Sequence, residues 1–430
     1  MTAWVSACYL TISLPLISDA RLWTDTQGRT IDGELESATA KDVTVVLKSG
    51  KKVVIPLARL SSGDRFYVDV MRAEMAKGTP PPGETNKKPT EKPAETTGPV
   101  APPADPQGAL VFPETLRYPG ETLVKPVEDS EGRHVYASAN VRVFSDVELK
   151  PDGLDEFVLL LESTRMYWNL LGLPTAEGEA VVASQLFLFS NHEDYVKNGG
   201  IPTSMGTSRA SDRAILVCLT TSGIEVRGGR LKDGKALQLN EILIHEVIHQ
   251  LTPRSYARAS AAEDSMWLLE GLAEYARVTP YEGRKGFKLT NRLECVAQMV
   301  SERSTKDGIL GMGFGTNIAL PKLDEFINVD TPSFLAGEDA EFANRSRLCY
   351  ALSCMIVTHF LHTDRGGDMT RFRKFLRTLA TGATKKDATE VLLDGDSWET
   401  IEKEMAEGFK KEGLKLRFGA MTMEELSSLK

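Results

Sequence analysis

The chain has 430 residues, a formal net charge of −9 at pH 7 and 26% charged residues. This length predicts two or three folding units, and the composition is that of a globular protein. Because acidic residues are in excess, we expect no broad basic surface and therefore no nucleic-acid partner. The sequence contains no apolar run of about 18 residues, so it predicts no transmembrane helix.

The N-terminal segment has features of a signal peptide. Residues 4–17 are uncharged and mostly apolar, and they are too few to span a bilayer. Ser18-Asp19-Ala20 is a small-x-small pattern typical of cleavage after Ala20, although no Lys or Arg precedes the apolar stretch. We therefore predict a signal peptide over residues 1–20 and an exported, periplasmic or extracellular protein. A buried first strand is the alternative interpretation.

Residues 21–76 are predicted to form a small β unit. The β-rich runs at 42–48 and 52–57 are separated by Ser49-Gly50, which is a hairpin signal. Ser61 and Asp64 form a capping-box pattern, which predicts that a helix follows the strands.

These residues resemble the SLA1 homology domain 1 family, which has an SH3-like β-barrel. The resemblance is carried by the segments 21–25 (RLWTD), 28–31 (GRTI) and 53–57 (VVIPL), followed by Leu60, Ser61, Asp64 and Tyr67. It implies a small SH3-like barrel and, from the peptide-binding members of the family, a protein partner for that barrel. A folded spacer is the alternative.

Residues 77–109 are predicted to be a disordered linker. Proline recurs along this segment between Lys, Glu and Thr, and almost no apolar side chain is available for packing. Such a composition does not offset the entropy that folding removes. We therefore expect an extended tether between the small unit and residues 110–430.

Residues 110–430 are predicted to form one large α+β unit. Strands are expected over 134–144, 185–189 and 213–219, and a helix over 155–171; from about residue 235 the pattern is mostly helical. Strands followed by helices are typical of α+β domains. The cysteines of this unit lack paired zinc-ligand spacing, and we interpret them as buried thiols, with disulfides as the alternative; they are Cys218, Cys295, Cys349 and Cys354.

The helix predicted over residues 237–251 carries the motif His245-Glu246-Val247-Ile248-His249. Histidines at positions i and i+4 lie one turn apart on one helix face, so both imidazoles can bind one zinc ion. Glu246, beside these ligands, is the candidate general base. The alternative is a pair of histidines on an exposed helix face.

A second predicted helix supplies a third candidate ligand, and a capping box at residues 260–263 is expected to start it. Glu270 on this helix completes a set of two histidines and one glutamate, which is an established catalytic zinc set with one open position. Glu274, one turn further, is placed to hold the second nitrogen of His245, with a solvated glutamate as the alternative. Gly271 disfavours a helix, which indicates the close approach of another backbone.

The two helices together resemble those of the gluzincin metallopeptidases. The segment 267–275 (WLLEGLAEY) is similar to the ligand helix of the M1 aminopeptidase group. It is more similar to the peptidase MA-like (DUF1570) family, and this resemblance extends to residues 186–195 and 350–361 and covers most of 110–430. It implies a zincin-like domain, in which a mixed sheet precedes the helices.

The resemblance also implies the roles of individual residues. His245, His249 and Glu270 would bind one catalytic Zn²⁺, and Glu246 would be the catalytic base. The M1 group uses a tyrosine on a later helix to stabilise the oxyanion. Tyr350, expected to open an apolar helix, is the matching candidate, and a core tyrosine is the alternative.

The sequence therefore predicts a zinc-dependent hydrolase, a metallopeptidase in which a zinc-activated water cleaves a peptide bond of a peptide or protein substrate. No segment like G-x-M-E-N precedes the zinc helix, so aminopeptidase action is not implied. The alternatives are an exported zinc-containing docking protein without peptidase activity and a non-peptidase amide hydrolase. His359 and His362 are interpreted as structural, because His359 is out of phase with Tyr350 on the helix.

Overall fold

The computed structural model describes residues 21–60 and 111–429, except for 25–29, 40, 48, 121, 123, 128–131, 139, 174–183, 203, 210–213, 234–235, 254–255, 257–265, 307, 330–333 and 335–342. Four predictions lie outside the described residues: the signal peptide over 1–20, the capping box at 61–64, the linker over 77–109 and the capping box at 260–263. The chain divides into two compact units, residues 1–99 and 100–430, and each is described by itself.

The described part of the first unit is an antiparallel sheet. Its strands pair in the order β1-β2-β3-β4, and their buried core includes Trp23, Leu35 and Val43. The Trp23 indole N–H donates to the carbonyl of Gly33 at 2.9 Å, which satisfies its polar atom inside the core. The strands are β1 (Arg21–Thr24), β2 (Thr30–Ala38), β3 (Asp42–Leu47) and β4 (Lys52–Pro56).

The hairpin predicted at Ser49-Gly50 is confirmed, because β3 and β4 pair antiparallel on either side of it and Gly50 has φ 75°. The predicted closed barrel is not seen in the residues described here. The four strands form an open sheet, in which β1 and β4 are the two edges and do not pair with each other.

The second unit is built around a mixed six-stranded sheet with the order β10-β11-β9-β8-β7-β6. The central strands β8, β9 and β11 are parallel, whereas β10 at one edge and β7 and β6 at the other are antiparallel to their neighbours. The strands of this unit are β5 (Thr115–Leu116), β6 (Lys125–Pro126), β7 (His134–Ala137), β8 (Val141–Ser145), β9 (Ser184–Phe189), β10 (Gly206–Arg209), β11 (Ala214–Cys218), β12 (Ile224–Arg227), β13 (Arg230–Asp233), β14 (Phe287–Lys288), β15 (Asn317–Leu320) and β16 (Lys415–Phe418).

The single strand predicted over residues 134–144 is wrong. Two antiparallel strands, β7 and β8, occupy this segment, and Tyr136 pairs with Val143 across them. The backbone N–H of Ser138 donates to the carbonyl of Val141 at 2.9 Å, so the chain turns there. Ser138 and Asn140 are residues that favour turns, and this local preference overrides the alternating pattern.

Most helices of this unit come after the six-stranded sheet in the sequence, and the exceptions are α1 and α2. Helix α1 lies between β8 and β9, as predicted over 155–171, and the short helix α2 begins after the cap Asn191, whose side chain accepts from the backbone N–H of Asp194 at 2.8 Å. The helices are α1 (Asp155–Leu170), α2 (His192–Lys197), α3 (Ala236–Leu251), α4 (Met266–Arg277), α5 (Arg292–Ser301), α6 (Leu323–Phe326), α7 (Ala343–His362), α8 (Thr370–Ala380), α9 (Lys385–Leu393), α10 (Trp398–Lys410) and α11 (Met423–Ser427).

Helix α4 occupies the centre of the helical layer. It packs against α3 on one side and against α7, and α3 in turn packs on the sheet at β10 and β11. A Cβ placed on Gly271 of α4 would lie 2.5 Å from the carbonyl oxygen of Ser353 on α7. The close backbone approach predicted at this glycine is therefore confirmed, and it brings α4 nearer to α7 than any side chain at this position would permit.

The predicted α+β class is confirmed by this arrangement of sheet and helices. Among the residues that the structure describes, no helix has the length and apolar character needed to cross a membrane.

Candidate metal centre

Helix α3 positions both histidines of the predicted zinc motif. It spans Ala236–Leu251, close to the predicted 237–251, and its buried residues include Leu239, Leu243 and Val247, which hold the helix on the core. The side chains of His245 and His249 remain 15% and 21% exposed, on the part of the helix that faces α4. Their ring centroids are 4.6 Å apart, as the i and i+4 spacing predicts.

Three donor atoms meet between α3 and α4. Nε2 of His245 lies 2.9 Å from Nε2 of His249. Oε2 of Glu270 lies 3.2 Å from the first nitrogen and 3.4 Å from the second. Two ligands about 2.0–2.1 Å from a tetrahedral zinc ion are separated by about 3.3 Å. The three atoms therefore form a triangle of the size that one zinc ion requires.

Glu270 supplies an independent test of this fit. It lies on α4 and is only 6% exposed, and its Oε2 atom is buried without a hydrogen bond. A buried carboxylate oxygen that receives no hydrogen bond is unfavourable unless a cation lies beside it. A metal ion between Glu270 and the two histidines would satisfy this oxygen. His245, His249 and Glu270 form one of the groups whose donor atoms lie close enough together to hold an ion.

Glu274 holds the other nitrogen of His245. Its Oε1 atom lies 3.0 Å from Nδ1 of His245. Since an ionised carboxylate only accepts hydrogen bonds, Nδ1 carries a proton and donates it, so Nε2 is the nitrogen that would offer its lone pair to a metal. The lone pair then points into the donor triangle. The structure places Glu274 where the sequence predicted it, buried with 4% exposure rather than solvated.

The charges around the triangle favour a cation. Burial opposes a charged imidazole, but the neighbouring carboxylates of Glu270 and Glu274 raise the pKa of His245 to about 10 when no metal is bound. Burial would raise the pKa of Glu274, but the Arg277 guanidinium and His245 lower it to about 2. The pKa of Glu270 is likewise lowered, against its burial, by the two histidines.

Two buried charged residues continue this cluster, and the sequence interpretation did not assign them. Arg277 donates from Nε and Nη2 to Glu274 at 2.8–3.0 Å. Its Nη1 donates to Glu241, which lies on α3 one turn before His245. The sequence held a signal for each residue. Glu241 is a charged residue on a helix that is otherwise mostly apolar, which indicates a buried ion pair. Arg277 follows Glu274 at the i,i+3 spacing of helical ion pairs.

Glu246 and Tyr350 lie on the two helices that flank α4. Glu246 is half-buried on α3, next to His245 and three residues from His249. The ring of Tyr350 lies 6.4 Å from the ring of His245, measured between centroids. The sequence predicted that Tyr350 opens a helix, and this is wrong. Helix α7 begins at Ala343, so Tyr350 lies about two turns inside it. The error arose because the polar start of α7 has no apolar periodicity.

A second group of side chains, His359, Asp364 and Glu404, also has metal-ligand spacing. Both carboxylate oxygens of Asp364 accept hydrogen bonds from the guanidinium of Arg371. The positive charge of Arg371 would repel a cation at this position. His359 is fully buried, and its Nδ1 lies 2.6 Å from the hydroxyl of Thr363. The chemistry of this group therefore fits a metal less well, and His359 fits its predicted structural role.

The predicted structural role of His362 agrees with its contacts. Its Nε2 lies 2.7 Å from the hydroxyl of Tyr275 on α4, and its ring stacks on Phe112 at 5.1 Å between centroids. The predicted thiols are also confirmed, since the four cysteines of the second unit are free and buried.

Comparison of the chain with protein-family models, with curated proteins and with solved structures finds no match.

Proposed function

We propose that this protein is a zinc-dependent hydrolase, a metallopeptidase of the gluzincin type related to the peptidase MA-like family, with a zincin-like second unit. The observation that carries the proposal is the donor triangle of His245, His249 and Glu270, with sides of 2.9–3.4 Å and an otherwise unbonded buried carboxylate oxygen.

The buried charges support a divalent ion in this triangle. Glu241, Glu270 and Glu274 are all at most 6% exposed, and Arg277 is the only buried cation that contacts them among the described residues. Three carboxylates are thus held close to one guanidinium, in a place where uncompensated charge is strongly unfavourable. A bound Zn²⁺ would balance them, and as a Lewis acid it would acidify water and polarise a carbonyl group.

Helical spacing supports Glu246 as the general base. It is three residues before His249, a spacing that puts two side chains on neighbouring parts of one helix face, and it is only half-buried. There it would take a proton from the attacking water and pass it to the leaving nitrogen. The hydroxyl of Tyr350, whose ring lies 6.4 Å from that of His245, would donate to the oxygen that gains negative charge.

The edge strand β10 supports an extended peptide as substrate. It lies against α3, and a Cβ on Gly206 would approach Ile242 of that helix to 2.8 Å. Among the described strands β10 is an edge strand that pairs only with β11. An unpaired edge beside the metal centre can bind an extended chain by backbone hydrogen bonds, which favours a peptide over a small amide.

The first unit and the export signal complete the proposal. We propose that the sheet of residues 21–60 belongs to an SH3-like docking module of the SLA1 homology domain 1 type, and that the protein acts outside the cytoplasm. The support is the core around Trp23 together with the sequence resemblance.

The test is cleavage of a peptide library by the full chain loaded with Zn²⁺. We expect hydrolysis within the peptides, and Glu246→Gln should lower it by about 10²- to 10⁴-fold, the contribution of a general base, while zinc content stays unchanged. Glu407→Gln, at a glutamate whose side chain is 63% exposed on α10, is the matched control. Undiminished cleavage by the Glu246 variant would refute the assignment. Zinc binding without cleavage would favour a docking protein, and hydrolysis confined to small amides would favour a non-peptidase amidase.

A further inference from the structure

A continuous chain of contacts links a candidate zinc ligand to a loop distant in sequence. It begins at Nδ1 of His245, which contacts Glu274 at 3.0 Å. Three hydrogen bonds from Arg277, through Nε and Nη2, hold both oxygens of Glu274 at 2.8–3.0 Å. The remaining guanidinium nitrogen, Nη1, donates to Glu241, so the planar fork of Arg277 bridges two carboxylates of different helices.

The chain ends on the backbone of Leu310, in the loop between α5 and β15. Oε1 of Glu241 accepts the N–H of Leu310 at 3.1 Å. Nη1 of Arg277 donates to the carbonyl of Leu310 at 3.2 Å. Both backbone polar groups of one loop residue are therefore held by the same ion pair. These hydrogen bonds fix the position of the loop, and the loop backbone in turn fixes Glu241 and Arg277.

The stability of the fold alone does not account for the hydrogen-bond network of Glu274, Arg277 and Glu241. Arg277 is 8% exposed, Glu241 is 5% exposed and Glu274 is 4% exposed, and a buried ion pair of this kind stabilises a fold little better than apolar side chains of similar size. Its geometry is nevertheless specific, because each guanidinium nitrogen has a carboxylate or carbonyl partner in a fixed direction. A function that needs precise orientation accounts for this arrangement.

We infer that Arg277 is a positioning residue of the metal centre, which fixes Glu274 against His245 and, through Glu241, fixes the centre to the backbone of Leu310. The inference rests on the proposed function, because it takes His245 as a metal ligand. Arg277 is not itself a ligand of the donor triangle, and it acts through Glu274 and Glu241. Partners that orient a ligating histidine typically change metal affinity by about 10- to 100-fold when they are lost.

The test uses three variants of the full chain. Arg277→Met removes the fork and keeps most of the side-chain volume, and Arg277→Lys keeps the charge without the fork. Arg292→Met is the matched control, because Arg292 is also buried, at 3% exposure, and donates to the carbonyls of Tyr275 and Val278 at the end of the same helix. Zinc affinity is measured by competition with a chelator, and the Co²⁺-substituted proteins are compared by visible absorption, which reports the ligand geometry.

We expect Arg277→Met to weaken zinc binding by about 10- to 100-fold and to change the Co²⁺ spectrum. Arg277→Lys should recover part of the affinity, and Arg292→Met should keep wild-type affinity and spectrum even where its melting temperature falls. Wild-type affinity in Arg277→Met, or an equal loss in Arg292→Met, would overturn the inference, because the effect would then be absent or merely a loss of stability.

Two further outcomes are decisive. If Arg277→Met does not fold, Glu241→Gln takes its place, since it leaves the pair of Arg277 and Glu274 intact and loosens only the link to Leu310. Wild-type affinity and spectrum in both Glu241→Gln and Arg277→Lys would then refute the inference. If the wild-type chain binds zinc but cleaves no peptide, the proposed hydrolase function fails, while the zinc affinities of the variants still decide the role of Arg277.

Discussion

His245 and Glu274 are joined through Nδ1 and Oε1 at 3.0 Å, on two helices that cross beside the donor triangle. This contact decides which nitrogen of the histidine carries its proton, and so directs the lone pair of Nε2 toward Glu270. One helix, α4, therefore supplies both a candidate ligand and the group that orients another ligand. The relative position of α3 and α4 therefore determines the distances between the candidate ligand atoms.

The first prediction concerns Glu270. Replacement by Ala leaves two histidines as ligands, so Zn²⁺ should bind much more weakly. In the wild-type chain, zinc at about 100 times its dissociation constant should stabilise the fold by about 2.7 kcal/mol, and this gain should vanish in Glu270→Ala. Thermal unfolding with and without zinc measures it, and Glu407→Gln should retain the full gain. An unchanged zinc-dependent shift in Glu270→Ala would remove Glu270 from the ligand set.

The second prediction concerns Tyr350, whose ring lies 6.4 Å from that of His245. If its hydroxyl donates to the oxyanion, Tyr350→Phe should lower kcat by about 10²- to 10³-fold, as the loss of one such donor does elsewhere. Zinc affinity and KM should change little, because the hydroxyl acts only as charge develops. Steady-state kinetics of the variant separates the two constants. A wild-type kcat would assign Tyr350 to the core, where it also packs on Phe334.

The third prediction concerns Gly271. Alanine normally stabilises a helix relative to glycine, but here its Cβ would meet the Ser353 carbonyl oxygen at 2.5 Å. We expect Gly271→Ala to destabilise the fold by about 1–3 kcal/mol, as overpacking does, and to weaken zinc binding. Chemical denaturation measures the first effect. Gly153→Ala is the control, because its Cβ would lie at an ordinary 3.5 Å from the nearest atom and should be nearly neutral.

The fourth prediction concerns pH. Burial, aided by the charge of Arg371, lowers the pKa of His359 to about 3. Between the unfolded pKa near 6.5 and this value, the unfolded chain binds a proton that the folded chain excludes, so stability falls as pH falls through this window. The loss at pH 5 should be about 2 kcal/mol, and above about pH 7 this histidine should contribute no pH dependence.

His359→Gln should flatten the dependence of unfolding free energy on pH between about 6.5 and 3. Part of the slope should remain, because burial and the charge of Arg292 also lower the pKa of His362 to about 3. Denaturant titrations at several pH values measure both effects. A slope in His359→Gln equal to that of the wild type would show that the His359 ring is protonated in the folded protein.

Local patterns in the sequence were sufficient for the elements that carry the site. The apolar periodicity of residues 237–251 predicted helix α3, and the spacing of His245 and His249 predicted that their rings lie together. Gly271 predicted a close backbone approach that the structure contains. These predictions succeeded because each depends on neighbours one or two turns away on a single helix. For the same reason Glu274 could be placed near His245 once both helices were assumed to meet.

The remainder depended on contacts between distant segments. The bridge from Arg277 to Glu241 joins residues 36 positions apart, and no local pattern specifies which buried charges will pair. The turn at Ser138 was missed because an alternating pattern continues through both strands of a hairpin. The described strands of the first unit form an open sheet, whereas an SH3-like barrel was predicted over residues 21–76. Closure depends on which edge strands meet and not on the strands themselves.

The close approach of Gly271 to Ser353 would also limit the radius of an ion held by the donor triangle. A donor triangle with sides of 2.9–3.4 Å suits an ion bound at about 2.0–2.2 Å, whereas Ca²⁺ prefers oxygen ligands at about 2.3–2.6 Å and would need a wider triangle. Widening it by moving α4 toward α7 is opposed by a contact with a backbone carbonyl, which has no rotamer to adopt. By admitting the Ser353 carbonyl, Gly271 would in this way limit the size of a metal ion that the donor triangle could hold.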